Sequence, residues 1–137
     1  MARQFTLGKQ ERLKSRKLIE ELFSKGQRLS VFPYRIFYLC HQNTDPKNCC
    51  LQFGAGAGTR NFKKAVDRNR IKRLTREAWR LQKNELAKKL AAHNMAMTVF
   101  FIYTGKELSA FDIVKEKTAL VIEKLLTIAD ENRPPHT

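Results

Sequence analysis

A nearly continuous apolar run from Met95 to Tyr103 is the feature that most constrains the fold of this chain. The run has the length of a β-strand and falls well short of the roughly 20 apolar residues that a membrane-spanning helix needs. A strand without alternating polar residues is typical of one that is buried in its sheet. With 137 residues, the chain is long enough to bury a core in one domain without metal or disulfide cross-links.

Apolar periodicity and turn residues predict the other elements. These are a helix over residues 15–25 that ends at Gly26, strands at Tyr34–Cys40 and from Cys49 to about Gly54, a helix from just after Val66 to about Gln82 with a second short helix or an extension through Leu90, and a final helix that begins near Ser109. The glycine-rich segment Ala55–Thr59 lacks the GxxxxGK[ST] pattern of a phosphate-binding loop, so it is interpreted as a flexible connection. We expect one domain over residues 1–137, with frayed tails at 1–8 and 132–137.

The net charge of +14 is high for so short a chain, and it is concentrated in two regions. Residues 60–89 contain 12 Lys or Arg and 3 acidic residues, and residues 1–28 contain 8 Lys or Arg and 3 acidic residues. A basic balance this strong indicates a polyanionic partner, such as a nucleic acid or an acidic membrane surface.

Cysteine and histidine usage gives little support to a metal site. The three cysteines form no CxxC pair, and the histidines at 41, 93 and 136 are scattered. An odd cysteine count without a secretory segment near the start is typical of a reducing compartment. We therefore expect a cytoplasmic protein, and the sequence predicts no residues for a metal site.

A helical wheel of residues 67–82 separates an apolar stripe from a cationic face. The stripe is predicted to face the core and consists of Ile71, Leu74, Ala78 and Leu81. The opposite face carries Asn69, Arg73, Arg76 and Arg80, with Arg68 and Lys72 along one flank near Trp79. Trp79 is interpreted as a packing residue, and the spacing of Glu77 allows it to pair with Arg73 or Arg80.

Two interpretations of the cationic face are a solvated surface and a nucleic-acid contact. Solvated helix faces usually mix both signs of charge to limit repulsion, whereas this face leaves several like charges together. Arginine also favours nucleic acid, since its planar guanidinium binds phosphate in a bidentate way and stacks on bases. Composition leaves RNA and DNA equally open.

The run from residue 63 to residue 80, with Arg68, Asn69 and Arg70 at its centre, resembles the signature of the bacterial ribonuclease P protein family. Residues 12–13, 22–23 and 26 are similar to the opening helix of that family. The resemblance implies an α/β (α+β) sandwich, in which a central mixed sheet packs against helices in the order αβββαβα, with a left-handed βαβ crossover. It also implies that the protein assists a catalytic RNA in removing the 5′ leader of precursor tRNA, while the RNA and its Mg²⁺ ions perform the hydrolysis.

The resemblance further implies two RNA-contacting regions, and no catalytic residue in the protein itself. The contact with the catalytic RNA is expected at Arg60, Asn61, Lys63, Lys64, Arg68, Asn69, Arg70, Lys72, Arg73, Arg76 and Arg80. The single-stranded leader is expected in a cleft between the first helix and the sheet, at Arg12, Phe23, Arg35 and Phe37. Neither a membrane nor a small-molecule substrate is an expected partner.

This chain departs from the family pattern at two places. Thr59, Arg60 and Asn61 stand where the family commonly has Ser-Lys-Lys, so the charge arrives slightly later, at residues 63 and 64. Ile19 stands where many relatives have an aromatic residue, which leaves Phe23 as the stronger candidate for base stacking. A core position for Phe23 is an equal alternative.

Two other classes of function make different demands on the sequence. A stand-alone nuclease needs clustered carboxylates for metal ions or a histidine pair for acid and base catalysis, and the pattern supports neither. A helix-turn-helix module of the transcription type needs two adjacent helices at the basic segment without flanking strands. A mixed sheet around that segment would therefore count against such a module.

Overall fold

The computed structural model describes Leu13 and residues 16–42, 51–58, 62–107 and 110–131. Its elements are, in chain order, α1 (Arg16–Lys25), β1 (Gln27–Val31), β2 (Tyr34–Gln42), β3 (Leu51–Ala57), α2 (Ala65–Gln82), α3 (Asn84–Ala92), β4 (Met95–Tyr103) and α4 (Phe111–Glu131). The α+β class is confirmed, and α3 is a second short helix after α2. No helix within the described residues is long and apolar enough to cross a membrane.

The four strands form one mixed sheet in the order β1-β2-β4-β3. β4 pairs antiparallel with β2 on one side and parallel with β3 on the other. Most side chains from Met95 to Tyr103 are buried, so the predicted strand is confirmed with its bounds. α2 and α3 connect β3 to β4, and the left-handed sense of this crossover stays a prediction.

One face of the sheet, which we call the closed face, carries the main core. It presents alternate residues of the strands, among them Tyr34, Ile36, Phe53, Val99, Phe101 and Tyr103. These side chains pack against α2, α3 and α4, and α4 contributes Val114, Val121, Ile122, Leu125 and Ala129. The i, i+3, i+4 spacing of buried residues along α4 explains why its apolar stripe covers the sheet continuously.

The opposite face, which we call the open face, carries a much smaller cluster. Leu13, Leu22 and Phe37 are buried there, and Ile19, Leu39, Phe100 and Ile102 pack against them. α1 lies on this face, and the backbone N–H of Leu13 donates a hydrogen bond of 2.8 Å to the carbonyl of Phe53. The cluster therefore joins Leu13 and α1 to the sheet, while Phe23 and Arg35 keep exposed surface on this face.

The glycine-rich segment is the clearest correction to the sequence interpretation. β3 continues to Ala57, so the prediction of a flexible connection from Ala55 is wrong for its first three residues. A Cβ at Gly54 would lie 2.6 Å from Cδ2 of Phe100, and one at Gly56 would lie 3.2 Å from its Cε1. These glycines let the Phe100 ring pack directly on the β3 backbone.

β1 is the second difference, because the residue patterns did not predict it. Its five residues alternate weakly, with Arg28 and Ser30 exposed and Leu29 and Val31 half-buried. The pairing of β1 with β2 supplies what its own pattern lacks. The predicted start of β3 at Cys49 and the predicted helix start at Ser109 lie outside the described residues.

Candidate nucleic-acid interface

The start of α2 is stabilised by a side chain from its own first turns. The residue before the helix, Lys64, is extended and makes no side-chain capping hydrogen bond. Instead, Nη1 of Arg68 donates hydrogen bonds to the carbonyls of Phe62 at 2.8 Å and Lys63 at 2.9 Å. The guanidinium of Arg68 thus fixes the path of the chain into the helix, and Arg68 is half-buried.

The buried side of α2 is turned toward Trp79 relative to the predicted stripe. Its buried residues are Ile71, Thr75, Ala78 and Trp79, so two of the four predicted core residues are confirmed, while Leu74 and Leu81 are half-buried. The indole of Trp79 stacks on Phe53 with 4.5 Å between ring centroids, which confirms it as a packing residue. The buried hydroxyl of Thr75 makes hydrogen bonds with the Ile71 carbonyl at 2.8 Å and with the Tyr34 hydroxyl at 2.7 Å, so it is not left unpaired in the core.

The outer side of α2 collects most of the predicted RNA-binding residues. Those that are exposed are Lys63, Lys64, Asn69, Arg70, Arg73 and Arg76, and those that are half-buried are Arg68, Lys72 and Arg80. Asn69, Arg70 and Arg73 line an open concavity of about 450 Å³ together with Val66 and Leu74. Val66 is 75% exposed, so the guanidiniums stand beside an apolar patch. The surface combines phosphate-binding groups with a place for the apolar face of a sugar or base.

Glu77 lies directly after Arg76 on α2, and its carboxylate is paired. It forms an ion pair with Arg80, and Nε of Arg80 donates to Oε2 of Glu77 at 3.2 Å. This hydrogen bond holds the pKa of Glu77 below its usual value. Within the described part of the chain, Arg70, Arg73 and Arg76 form no ion pair. Their positive charge is therefore directed outward.

The predicted leader cleft contains an aromatic cluster on the open face. Phe23 of α1 is 38% exposed, and its ring lies 4.8 Å from that of Phe37 and 5.4 Å from that of Phe100, measured between centroids. Phe37 itself is buried, while Arg35 on the same strand face is exposed. The structure therefore brings Phe23, Arg35 and Phe37 to one surface, with Phe23 as the accessible ring.

Two members of this surface were missed by the residue patterns. The guanidinium carbon of Arg28 lies 5.5 Å from the centroid of the Phe37 ring, in cation–π range. Phe100 reaches the same cluster because it pairs with Phe37 across β2 and β4. Only the strand register brings Arg28 and Phe100 to Phe37, and the sequence gives no local sign of it.

The two candidate regions lie on opposite sides of the sheet. α2 packs on the closed face, and α1 packs on the open face. Three predicted residues, Arg12, Arg60 and Asn61, lie outside the described residues. In the part that the structure describes, no group of three or more His, Cys, Asp and Glu side chains is arranged to hold a metal ion.

Comparison with known proteins gives consistent matches over most of the chain. A family model described as Ribonuclease P matches residues 7–125. A curated relative from Porphyromonas gingivalis, named Ribonuclease P protein component, is 33% identical over 111 residues, which are 81% of this chain and 80% of the relative. A relative of the same name from Chlorobium phaeobacteroides is 24% identical and covers 88% of both chains.

Solved structures show the same fold at lower identity. The ribonuclease P protein from Thermotoga maritima matches with a TM-score of 0.62 and 22% identity, over 83% of this chain and 96% of that protein. The Staphylococcus aureus ribonuclease P protein matches with a TM-score of 0.60 and 19% identity, over 87% and 94% of the two chains. These likenesses show that this chain and the two solved proteins share the same arrangement of sheet and helices.

Proposed function

Since this chain belongs to the ribonuclease P protein family, we propose that it is the protein component of a cytoplasmic ribonucleoprotein endonuclease that removes the 5′ leader from precursor tRNA. A catalytic RNA and the precursor tRNA are its two partners. The strands on both sides of the α2–α3 segment count against the alternative of a helix-turn-helix module, whose helices would pack without them.

The observation that carries the proposal is a row of arginines on α2 that form no ion pair with any other residue that the structure describes. Arg70, Arg73 and Arg76 are exposed and lie three residues apart, so successive guanidiniums share one side of the helix. Several like charges on one side of a helix suit a polyanion, because each guanidinium can bind a phosphate in a bidentate way. We assign the catalytic RNA to this surface, with Asn69, Lys63 and Lys64 extending it.

The open face supports the contact with the leader. Phe23 offers an accessible ring whose back is held by Phe37 and Phe100, and Arg28 and Arg35 supply positive charge beside it. A single strand is bound most readily by stacking of its bases on such rings and by a few cations along its backbone. The position of this surface across the sheet from α2 allows both RNAs to be bound at once.

Hydrolysis is assigned to the RNA subunit, with Mg²⁺ bound among its phosphates. The donors on α2 are cationic and repel a metal ion, so the side chains of this surface fit phosphate and not Mg²⁺. The protein's contribution is to bind and orient the two RNAs and to lower the repulsion between them.

Reconstitution with the cognate catalytic RNA tests this function. We expect precursor tRNA cleavage at low magnesium only when protein and RNA are combined. We expect the Kd of the complex to rise steeply with salt, because each phosphate contact releases counterions. Cleavage by the purified protein without RNA would support the stand-alone nuclease instead, and a salt-independent Kd would contradict the basic surface of α2.

A further inference from the structure

The turn between β1 and β2 presents an aromatic ring that the proposed function does not use. Phe32 is 76% exposed, the largest value among the exposed large apolar side chains of the described residues. A single exposed apolar residue is common and needs no explanation by itself. The surroundings of Phe32 are less ordinary, because they form a rigid concavity beside the ring.

Hydrogen bonds fasten the turn to the segment that follows β4. The backbone N–H and the Oγ1 of Thr104 both donate to the carbonyl of Pro33, at 2.7 and 3.0 Å. Beyond them, the Tyr103 hydroxyl donates to the carbonyl of Glu107 at 2.6 Å. Gly105 is packed so closely that a Cβ there would lie 3.1 Å from Cβ of Pro33. These contacts restrict the movement of the turn that carries the Phe32 ring.

The turn and residues 103–107 enclose an open concavity of about 440 Å³, which we call the turn concavity. Its volume is within the range of small-ligand sites, and Phe32 supplies an apolar wall. Lys106 lies on its rim as an exposed cation, and Glu107 lies on the same rim with the opposite charge. An anionic group is therefore favoured on the Lys106 side only.

The turn concavity lies close to the basic start of α2. Tyr103, which lines it, has its ring centroid 5.8 Å from that of Phe62. Phe62 is followed directly by Lys63 and Lys64, which are both exposed. Both Tyr103 and Phe62 belong to the closed face, on which α2 packs, and not to the open face of the leader.

We propose that Phe32 and Lys106 form a nucleotide subsite that holds one unpaired nucleotide of the catalytic RNA, with the base stacked on the Phe32 ring and a phosphate beside Lys106. The inference rests on the proposed function and extends its RNA surface around the edge of the sheet. Proximity to Lys63 and Lys64, through the contact of Tyr103 with Phe62, favours the catalytic RNA over the leader, which is assigned to the other face. The excess positive charge of the chain favours RNA over a protein partner.

Binding of the full-length chain to the labelled cognate catalytic RNA tests the subsite. We expect Phe32→Ala to raise the Kd about 5- to 150-fold, the range for loss of one stacked base. We expect Phe32→Trp to keep the affinity, because it preserves a flat ring. Leu120→Ala is the matched control, since it removes an exposed apolar side chain of α4 far along the chain and should leave the Kd unchanged. Lys106→Ala should reduce the slope of log Kd against log salt by about one contact.

Chemical modification of unpaired bases in the RNA gives an independent result. One base should be protected by the wild-type protein and by Phe32→Trp, and should become reactive with Phe32→Leu, which keeps apolar bulk without a ring. This pair of variants also decides the matter if Phe32→Ala lowers the melting temperature.

Two results would overturn the subsite, and both are separable from failure of the proposed function. Equal affinity of wild type and Phe32→Leu for the catalytic RNA would show that the ring stacks on no base. A loss confined to precursor tRNA binding by the assembled enzyme would make the leader the occupant. A wild-type chain that does not bind the catalytic RNA at all would instead contradict the proposed function itself.

Discussion

The two faces of the sheet place the same kinds of aromatic residue in different surroundings. On the closed face, Trp79 and Phe53 stack at 4.5 Å and both are shielded from solvent. On the open face, Phe23 leans on Phe37 and Phe100 but keeps 38% of its surface exposed. A covered ring stabilises the fold through the apolar area it buries, whereas a ring with one accessible side is able to stack on a ligand. Exposure, and not residue type, separates the two roles.

The largest expected effect comes from the closed face. Trp79→Ala should lower the free energy of unfolding by about 3–5 kcal/mol, because it removes a fully buried ring and leaves a cavity between Phe53 and Phe101. Urea denaturation of the RNA-free protein measures this quantity.

Phe23→Ala is the comparison for that measurement. We expect Phe23→Ala to lower the free energy of unfolding by only about 1 kcal/mol, because the ring of Phe23 is partly solvated in the folded state. Equal losses for Trp79→Ala and Phe23→Ala would show that the open face is as important for stability as the closed face.

The next effect is a dependence of stability on alkaline pH that belongs to the closed face. Burial raises the pKa of Tyr34 to about 12. Its ordinary value is about 10, so above pH 10 the unfolded chain loses this proton while the folded chain keeps it. The stabilisation is complete below pH 10 and is lost as the pH rises toward 12. The free energy of unfolding should fall by roughly 2–3 kcal/mol over that range.

Tyr34→Phe isolates this contribution from the titration of other groups. The variant lacks the phenol, while Thr75 retains its hydrogen bond to the Ile71 carbonyl. The stability of Tyr34→Phe should therefore decline less between pH 10 and 12 than that of the wild type. Parallel curves for the two proteins would mean that the Tyr34 phenol titrates alike in the folded and unfolded states.

The third effect is a change in the binding of precursor tRNA, and it comes from the open face. Phe23→Ala should weaken binding of precursor tRNA to the assembled enzyme by about 1–3 kcal/mol, and should leave mature tRNA unaffected. The reason is that the two substrates differ only in the leader, and discrimination needs a contact made to one of them. Parallel Kd measurements at fixed magnesium and salt test the difference.

Leu18→Ala is the matched control for this prediction. Leu18 lies on the same helix and is 39% exposed, close to the value for Phe23, but it has no ring. It should leave the preference for precursor tRNA intact. Equal losses for precursor and mature tRNA in Phe23→Ala would mean that Phe23 does not contact the leader.

Sequence reasoning was most successful where one residue pattern determined the structure. The bounds of β4 follow from its unbroken apolar run, and the exposure of Arg73 and Arg76 on α2 follows from the helical period. β1 was missed because its five residues are a strand mainly through their pairing with β2. A short strand with two exposed polar residues has no periodicity strong enough to stand out from a loop.

The errors on α2 and β3 have the same physical cause, which is a partner distant in the sequence. Thr75 is buried because its hydroxyl makes a hydrogen bond in the core with the hydroxyl of Tyr34, which lies 41 residues away in the sequence. The glycines of β3 belong to a strand because the ring of Phe100 needs the space above them. Neither partner is visible in the local sequence, so Thr75 was not included in the predicted core stripe, and a glycine-rich segment was interpreted as a flexible connection.

The smallest expected effect separates two arginines that the sequence treats alike. Arg70→Ala should weaken binding of the catalytic RNA by roughly 1 kcal/mol, about fivefold in Kd, and should change the free energy of unfolding by less than about 0.5 kcal/mol. Arg68→Ala should reduce stability as well, by about 1 kcal/mol, because its guanidinium donates to the carbonyls of Phe62 and Lys63. RNA titration and urea denaturation of both variants measure the two quantities.

Lysine substitutions at Arg70 and Arg68 separate the effect of the positive charge from that of the planar guanidinium. Arg70→Lys keeps the charge toward phosphate and should recover part of the RNA affinity, since a lysine binds phosphate as a point charge. Arg68→Lys should recover less of the stability, because an ammonium on a more flexible chain replaces one planar group that reaches two carbonyls. An equal loss in the free energy of unfolding for Arg70→Ala and Arg68→Ala would contradict this distinction. The outward face of α2 would then stabilise the fold, and RNA binding would not be the only role of its arginines.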